Sequence, residues 1–217
     1  MNSHTAEGAH DAAVASAAMA GDLERSGDRF DLGRELLDQL TWHWSAHVRP
    51  RLDGLADEEH FWEPVPGCWS VRPRAEAGTK DAAGGGDMVV DFEWPEPSPV
   101  PFTTIAWRLA HVTVVFDDRV GRHFGGPPVE RSTAVYPSHA EGALTELDRA
   151  YTGWVDALAQ LDAEALVRPV GPKEPFPDAP MAALVLHVHR EVIHHLAEVL
   201  TLCDLYRGRR SRERVNS

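Results

Sequence analysis

Apolar residues recur at helical spacing in four long stretches of the chain. In the first stretch they fall three or four positions apart: Leu36, Leu37, Leu40, Trp44, Val48 and Leu52. This pattern predicts a first helix that begins near Phe30 and is closed by Gly54. Pro50 lies inside the pattern, so we expect the helix to kink or end there and to restart near Asp57.

The second predicted helix follows a possible N-cap at Thr103 or Thr104. A threonine hydroxyl can accept a hydrogen bond from a free N–H group of the first turn. The apolar periodicity then continues until Gly125 and Gly126, which are followed by two prolines. Glycine and proline at this point predict that the helix stops.

Two further helices are predicted in the second half of the chain. Ser138 is a candidate N-cap with Glu141 three residues later, as in a capping box, and the periodic residues of this third helix run to Leu161. The fourth helix is predicted over residues 181–206 and is bounded by Gly208.

A long connection, residues 62–102, separates the first two helices. It contains seven prolines and the triplet Gly84-Gly85-Gly86, a composition that cannot sustain a long helix. Residues 88–90, with Phe92, have the character of a short strand, and a connection this long often forms a lid or the rim of a pocket. Four long periodic segments with almost no strand signal predict an all-α fold, a four-helix bundle with a long crossover loop.

Composition and charge narrow the class of protein. The chain has 217 residues, 43% of them hydrophobic, and a formal net charge of −13, which makes nucleic acid and anionic membranes poor partners. No apolar run is long enough to span a bilayer. Cys68 and Cys203 lie far apart and form no metal or redox motif, so we expect two small buried residues in a cytoplasmic protein. We predict a flexible leader at 1–29, one bundle domain at 30–207 and a basic, solvated tail at 208–217.

The fourth predicted helix carries two ionisable residues within an apolar stripe. The stripe is defined by a turn of about 100° per residue: Leu184, Val188, Glu191, His195, Val199 and Leu202. A buried glutamate without a partner is costly, so Glu191 at the centre of the stripe calls for a cation. Glu191 and His195 are four residues apart and project side by side. The alternative is a simple hydrogen bond between them at the edge of the bundle.

A third ligand has to come from another helix, because two residues of one helix cannot encircle an ion. His111 is the best candidate, although a core histidine bonded to a carbonyl is the alternative reading. His43 and His47 on the first helix are predicted to line the pocket. The remaining histidines of the fourth helix point away from the centre of the stripe and are predicted to be solvated or capping: His187, His189 and His194.

Two histidines and one carboxylate form a ligand set that suits Zn²⁺, with Ni²⁺ as an alternative, and leave a coordination position open. An ion in such a site can lower the pKa of a bound water or hold a thiol as its thiolate. The spacing of the residues does not distinguish the two chemistries.

Four segments together resemble the DinB-like superfamily: Trp42-His43-Trp44, the run from Trp62 to Ser70, the run from Ala106 to His111 and the run from Arg190 to His195. More narrowly, the chain resembles the actinobacterial branch, which is similar to the metal-binding domain of mycothiol-dependent maleylpyruvate isomerase and to thiol S-transferases. The resemblance implies a four-helix bundle whose metal is held by a histidine of the second helix and an ExxxH pair of the last. These positions are His111, Glu191 and His195 here.

The resemblance also suggests an activity. We expect a metal-dependent transferase that joins a low-molecular-weight thiol, with mycothiol as a candidate co-substrate, to an electrophilic small molecule, with His43 as a catalytic proton acceptor. A metal-dependent hydrolase that uses a bound water, and a non-catalytic bundle stabilised by its metal, are the alternatives. The expected partner is a small-molecule substrate, with a homodimer as a candidate assembly.

Overall fold

A computed structural model describes residues 30–215, so the predicted leader and the last two residues of the tail lie outside the described part of the chain. The α-helices of this part are α1 (Leu32–His43), α2 (Arg49–Leu52), α3 (Asp57–His60), α4 (Ile105–His123), α5 (Ala140–Leu158), α6 (Ala163–Val167) and α7 (Met181–Val215). A π-helical turn, Trp44–Val48, joins α1 to α2, and a 3₁₀ turn, Arg74–Glu76, lies in the long connection. From Gly33 onward the described chain forms one compact unit.

The first predicted helix is interrupted as its proline implied. A π-helical turn precedes α2, and Pro50 stands in the first turn of α2, where its missing N–H group is tolerated. Wider turns of this kind accommodate local mismatches in a helix. The segment then ends near Gly54, which has a positive φ of 72°, and α3 begins at Asp57.

The caps of α4 and α5 differ in how well the sequence predicted them. Thr104 caps α4, since its side chain accepts a hydrogen bond from the N–H group of Trp107. The cap of α5 was predicted at Ser138 and is instead the next residue, His139, whose Nδ1 accepts from the N–H group of Gly142 at 2.8 Å. Histidine is an uncommon cap, which is why the serine was the more evident candidate.

The last helix is longer than predicted, because α7 continues through Gly208 to Val215. Arg207 forms an ion pair with buried Glu59 at 2.9 Å and so ties the helix to α3 just before the glycine. Beyond Gly208, Arg209 and Glu213 pair at 2.9 Å one turn apart. These contacts act against the roughly 1 kcal/mol by which glycine disfavours a helix.

The long connection contains a two-stranded antiparallel sheet of β1 (Val71–Pro73) and β2 (Met88–Val90), with Val71 opposite Val90. The short strand at 88–90 is thus confirmed, whereas β1 had no sequence signal. Buried Asp91 anchors the connection: its carboxylate accepts hydrogen bonds from the N–H group of Ser70 at 3.0 Å and from Arg72 at 2.9 Å. In this sheet, β1 contacts α4.

One hydrophobic core joins the four long helical segments and confirms the all-α four-helix bundle. Leu40, Leu109, Leu147 and Leu196 come from the four segments in turn and are 1% exposed or less, and fully buried Trp154 belongs to the same core. Each such side chain stabilises the fold by about 1.5–3 kcal/mol relative to exposure. The core holds α4 against both α5 and α7. No described helix has the length and apolar character of a membrane span.

Candidate metal centre

His111, Glu191 and His195, the metal-site trio predicted from the sequence, come together where α4 packs on α7. One potential ligand atom from each residue lies within 4.8 Å of the others. The ring centroids of His111 and His195 are 4.6 Å apart, at an interplanar angle of 79°, and His195 Nε2 is 3.7 Å from Glu191 Oε2. Nitrogen and carboxylate donors at this separation can share one cation between them.

The position of Glu191 differs from the sequence-based expectation. The line of α7 that faces the core, with each side chain 0% exposed, is made of Val185, Val188, Val192, Leu196 and Val199. The Glu191 side chain is 30% exposed and lies on the flank of this line, as does His195. The apolar arc of α7 is wide, so its centre could not be located from periodicity alone. Glu191 is therefore reachable from solvent, as a ligand of an open site has to be.

His111 is prepared to act as a neutral donor. Its Nε2 is buried and has no hydrogen-bond partner among the described residues. Burial, with the nearby His195, Arg131 and Arg108, lowers the pKa of His111 to about 3, so the imidazole keeps a lone pair at neutral pH. A buried nitrogen without a partner is an unfavourable arrangement that a bound cation relieves.

Trp107 fixes the orientation of the His111 ring. The two rings stack almost in parallel, with centroids 5.4 Å apart and an interplanar angle of 7°. The indole Nε1–H of Trp107 donates to the carbonyl oxygen of Asp91 at 2.8 Å. Through this bond the long connection helps to set the position of a site residue.

His195 is oriented from its opposite edge by Glu198, which the sequence reading missed. His195 Nδ1 is 3.0 Å from Glu198 Oε2, and buried Arg108 forms an ion pair with the same carboxylate. When Nδ1–H donates to Glu198, the lone pair of Nε2 faces Glu191, which is the tautomer a metal ligand needs. Burial lowers the pKa of His195 and favours the neutral ring. The spacing of three residues after His195 was the available signal for Glu198.

A second cluster shares His195 and consists of His194, His195 and Glu198. His194 is 65% exposed at its side chain, and Glu198 is already bound to Arg108. The trio has the better geometry for a cation, because it includes a buried histidine nitrogen that has no hydrogen-bond partner in the described part of the chain.

The other histidines occupy different surroundings. His194 is exposed, as predicted, and the side chain of His187 is 44% exposed. His189 is 1% exposed and packs in the core beside Trp154, so its predicted solvation was wrong. His43 neighbours His47, with ring centroids 6.1 Å apart, and its buried Nε2 has no hydrogen-bond partner among the residues that the structure describes. No hydrogen bond, ion pair or ring contact between described residues joins His43 to the trio. Its catalytic role stays a prediction.

Two cavities lie beside α4. One of about 280 Å³ is lined by His111 and by residues of the connections on either side of α4, among them Val90 and Arg131. The other, of about 350 Å³, lies against α4 and α5 and is not lined by any member of the trio. The smaller cavity is therefore the one with access to the candidate chemistry, and Val90 confirms that the long connection forms part of a pocket wall.

Comparison with known protein families places the chain in one group. Residues 88–199 match the family model of the DinB superfamily. The chain belongs to the DinB superfamily. All three residues of the trio lie inside the matched range, whereas His43 lies outside it. DinB-superfamily domains are typically metal-binding, which agrees with the His and Glu cluster of this chain. No curated protein and no solved structure gives a significant match to the sequence.

Proposed function

We propose that this DinB-superfamily protein binds one divalent metal ion through His111, Glu191 and His195 and uses it to transfer a low-molecular-weight thiol to an electrophilic small molecule. The observation that carries the proposal is the convergence of the three donor groups around His111, whose buried Nε2 has no hydrogen-bond partner within residues 30–215. Two imidazoles and a carboxylate favour Zn²⁺, with Ni²⁺ as the alternative ion. Mycothiol is a candidate thiol.

A divalent ion in this site would lower the pKa of a thiol at its open position, so that the thiolate is available at neutral pH. The protein's own groups supply the positioning. Glu198 orients His195 through a polar contact, and Trp107 orients His111 by ring stacking. The cavity beside His111 receives the small molecule.

The proposed transfer replaces a leaving group on the electrophile by the sulfur of the thiol. The thiol loses its proton to a base, its sulfur forms a carbon–sulfur bond at the electrophilic carbon, and the leaving group departs with the electrons of the broken bond and takes up a proton. His43 is the sequence-based candidate for the base. We place the reaction in the cytoplasm, where the two buried, unpaired cysteines of the protein would remain reduced.

Glu191→Gln tests the proposal directly. The amide keeps the shape of the side chain but removes the charge that attracts a cation, so we expect loss of bound metal and a fall of at least about tenfold in thiol transfer across a panel of electrophiles. Glu213→Gln, a matched change at the far end of α7, is expected to keep both. Unchanged metal content in Glu191→Gln would refute the ligand assignment.

The same panel assayed without thiol separates the alternative functions. Turnover that needs no thiol supports a hydrolase that activates water in the same site. Metal that raises the melting temperature without any turnover supports a purely structural role.

A further inference from the structure

The cavity beside His111 contains an arginine whose charge is not neutralised by a neighbouring acid. Arg131 lies between α4 and α5 and is partly buried at the cavity wall. No ion pair and no hydrogen bond of its guanidinium group is found among the described residues. The group lies instead over the ring of Phe92, with its central carbon 3.7 Å from the ring centroid.

The other two arginines of this cavity are already paired. Arg119 is 2.7 Å from Asp118 and 3.2 Å from Glu174, and Arg122 is 2.6 Å from Asp118. Glu130, the remaining acid at the cavity wall, is 62% exposed and lies 4.0 Å from Arg122. After this pairing, Arg131 is, within the described part of the chain, the cation of this cavity that remains available to a ligand.

Aromatic contacts position Arg131 at the cavity wall. Its guanidinium group stacks on Phe92, Phe92 is 6.0 Å from Trp69, and Trp69 is 6.2 Å from Trp107, which stacks on His111. This continuous row of aromatic rings links the arginine to the metal-site trio. Arg131 is also close enough to His111 for its charge to act on that histidine.

We propose that Arg131 binds a carboxylate group of the small-molecule substrate and thereby holds the reacting part of the substrate beside His111. A guanidinium group offers two parallel N–H donors whose spacing fits a carboxylate. Trp107, Val114 and Val115 supply apolar wall for the rest of the molecule. A cavity of about 280 Å³ accommodates a small acid. This substrate class rests on the proposed function, but binding of the carboxylate can be measured without turnover.

The test uses three small acids, acetate, propionate and benzoate, and their uncharged amides as isosteric controls. Binding to the full chain is followed by Trp fluorescence and by NMR. We expect at least one acid to bind more tightly than its amide, Arg131→Gln to weaken that binding about tenfold, and Arg131→Lys to weaken it less. Arg168→Gln removes the same charge at a site outside the cavity and is expected to leave the affinity unchanged.

The outcomes distinguish this inference from the metal proposal. Acid binding that depends on Arg131 and persists in Glu191→Gln supports the carboxylate site whether or not metal is taken up. Acid binding that is lost in Glu191→Gln and kept in Arg131→Gln would overturn it, because the acid would then bind the metal. Equal affinity for every acid and its amide would also overturn it.

Discussion

At the scale of single residues, the candidate site depends on groups that hold the ligands as much as on the ligands. His195 has two ring nitrogens, and its Nδ1 lies 3.0 Å from Glu198 Oε2; when Nδ1–H donates to this carboxylate, Nε2 is the nitrogen that is left free. Buried Arg108 in turn holds Glu198. Such carboxylate–histidine pairs raise the basicity of the ligand and fix its tautomer.

Glu198→Gln is therefore expected to weaken metal binding by about tenfold to a hundredfold while the protein stays folded. The amide can still accept a hydrogen bond, but it no longer carries the charge that favours a basic imidazole. Metal affinity by competition with a chromophoric chelator, with circular dichroism as the check of folding, measures the effect. A metal affinity equal to that of the wild type would mean that Glu198 only pairs with Arg108.

At the scale of elements, close contacts of helices with their neighbours determine which glycines are required. Gly121 lies in α4, and a Cβ atom there would meet the backbone carbonyl oxygen of Pro127 at 2.4 Å and Cα of Pro128 at 2.7 Å. Gly153 lies in α5 with open space at the same position. The two glycines have the same helical conformation but different surroundings.

We expect Gly121→Ala to destabilise the protein although alanine is the better helix former, because the turn that follows α4 would have to move. Gly153→Ala is the matched control and should stabilise the fold by up to about 1 kcal/mol. Urea unfolding gives both free energies of unfolding. Stabilisation by both substitutions would show that the turn after α4 can move at little cost in free energy.

The sequence predicted the four helical segments because long amphipathic patterns report local geometry. The sequence also predicted that His111, Glu191 and His195 form one site. The spacing of four residues indicated the pair on one helix, and the family resemblance indicated the histidine of a facing helix. The sequence could not locate Glu191 on the flank of α7, because the apolar arc is wide. Nor could it foresee β1 or the contact of Arg131 with Phe92, which depend on residues distant in the chain and on the path of the connection between α1 and α4.

At the scale of the whole molecule, buried neutral histidines link stability to pH. His60 is 1% exposed, and burial lowers its pKa to about 4, with Asp57 opposing and His139 adding to the shift. The unfolded chain, with a histidine pKa of about 6.5, binds this proton more readily. The stability that neutral His60 contributes is thus present above about pH 6.5 and is lost as the pH falls towards 4.

His60→Leu is expected to reduce the loss of stability between pH 7 and pH 5 by roughly 2 kcal/mol, because the variant has no proton to bind at this position. Urea unfolding at both pH values, with a chelator present to exclude any effect of metal, measures the loss. His60→Gln, which keeps a polar side chain, should show the same reduction. An equal loss in the wild type and in both variants would assign the pH dependence to other groups.

The central claim is that a cation is held jointly by α4 and α7. Elemental analysis of the purified protein after dialysis, for the wild type, His111→Gln and His194→Gln, tests it most directly. We expect about one divalent ion per chain in the wild type and in His194→Gln, and almost none in His111→Gln. Full occupancy in His111→Gln, or loss of the ion in His194→Gln alone, would contradict the account and move the site to the second cluster.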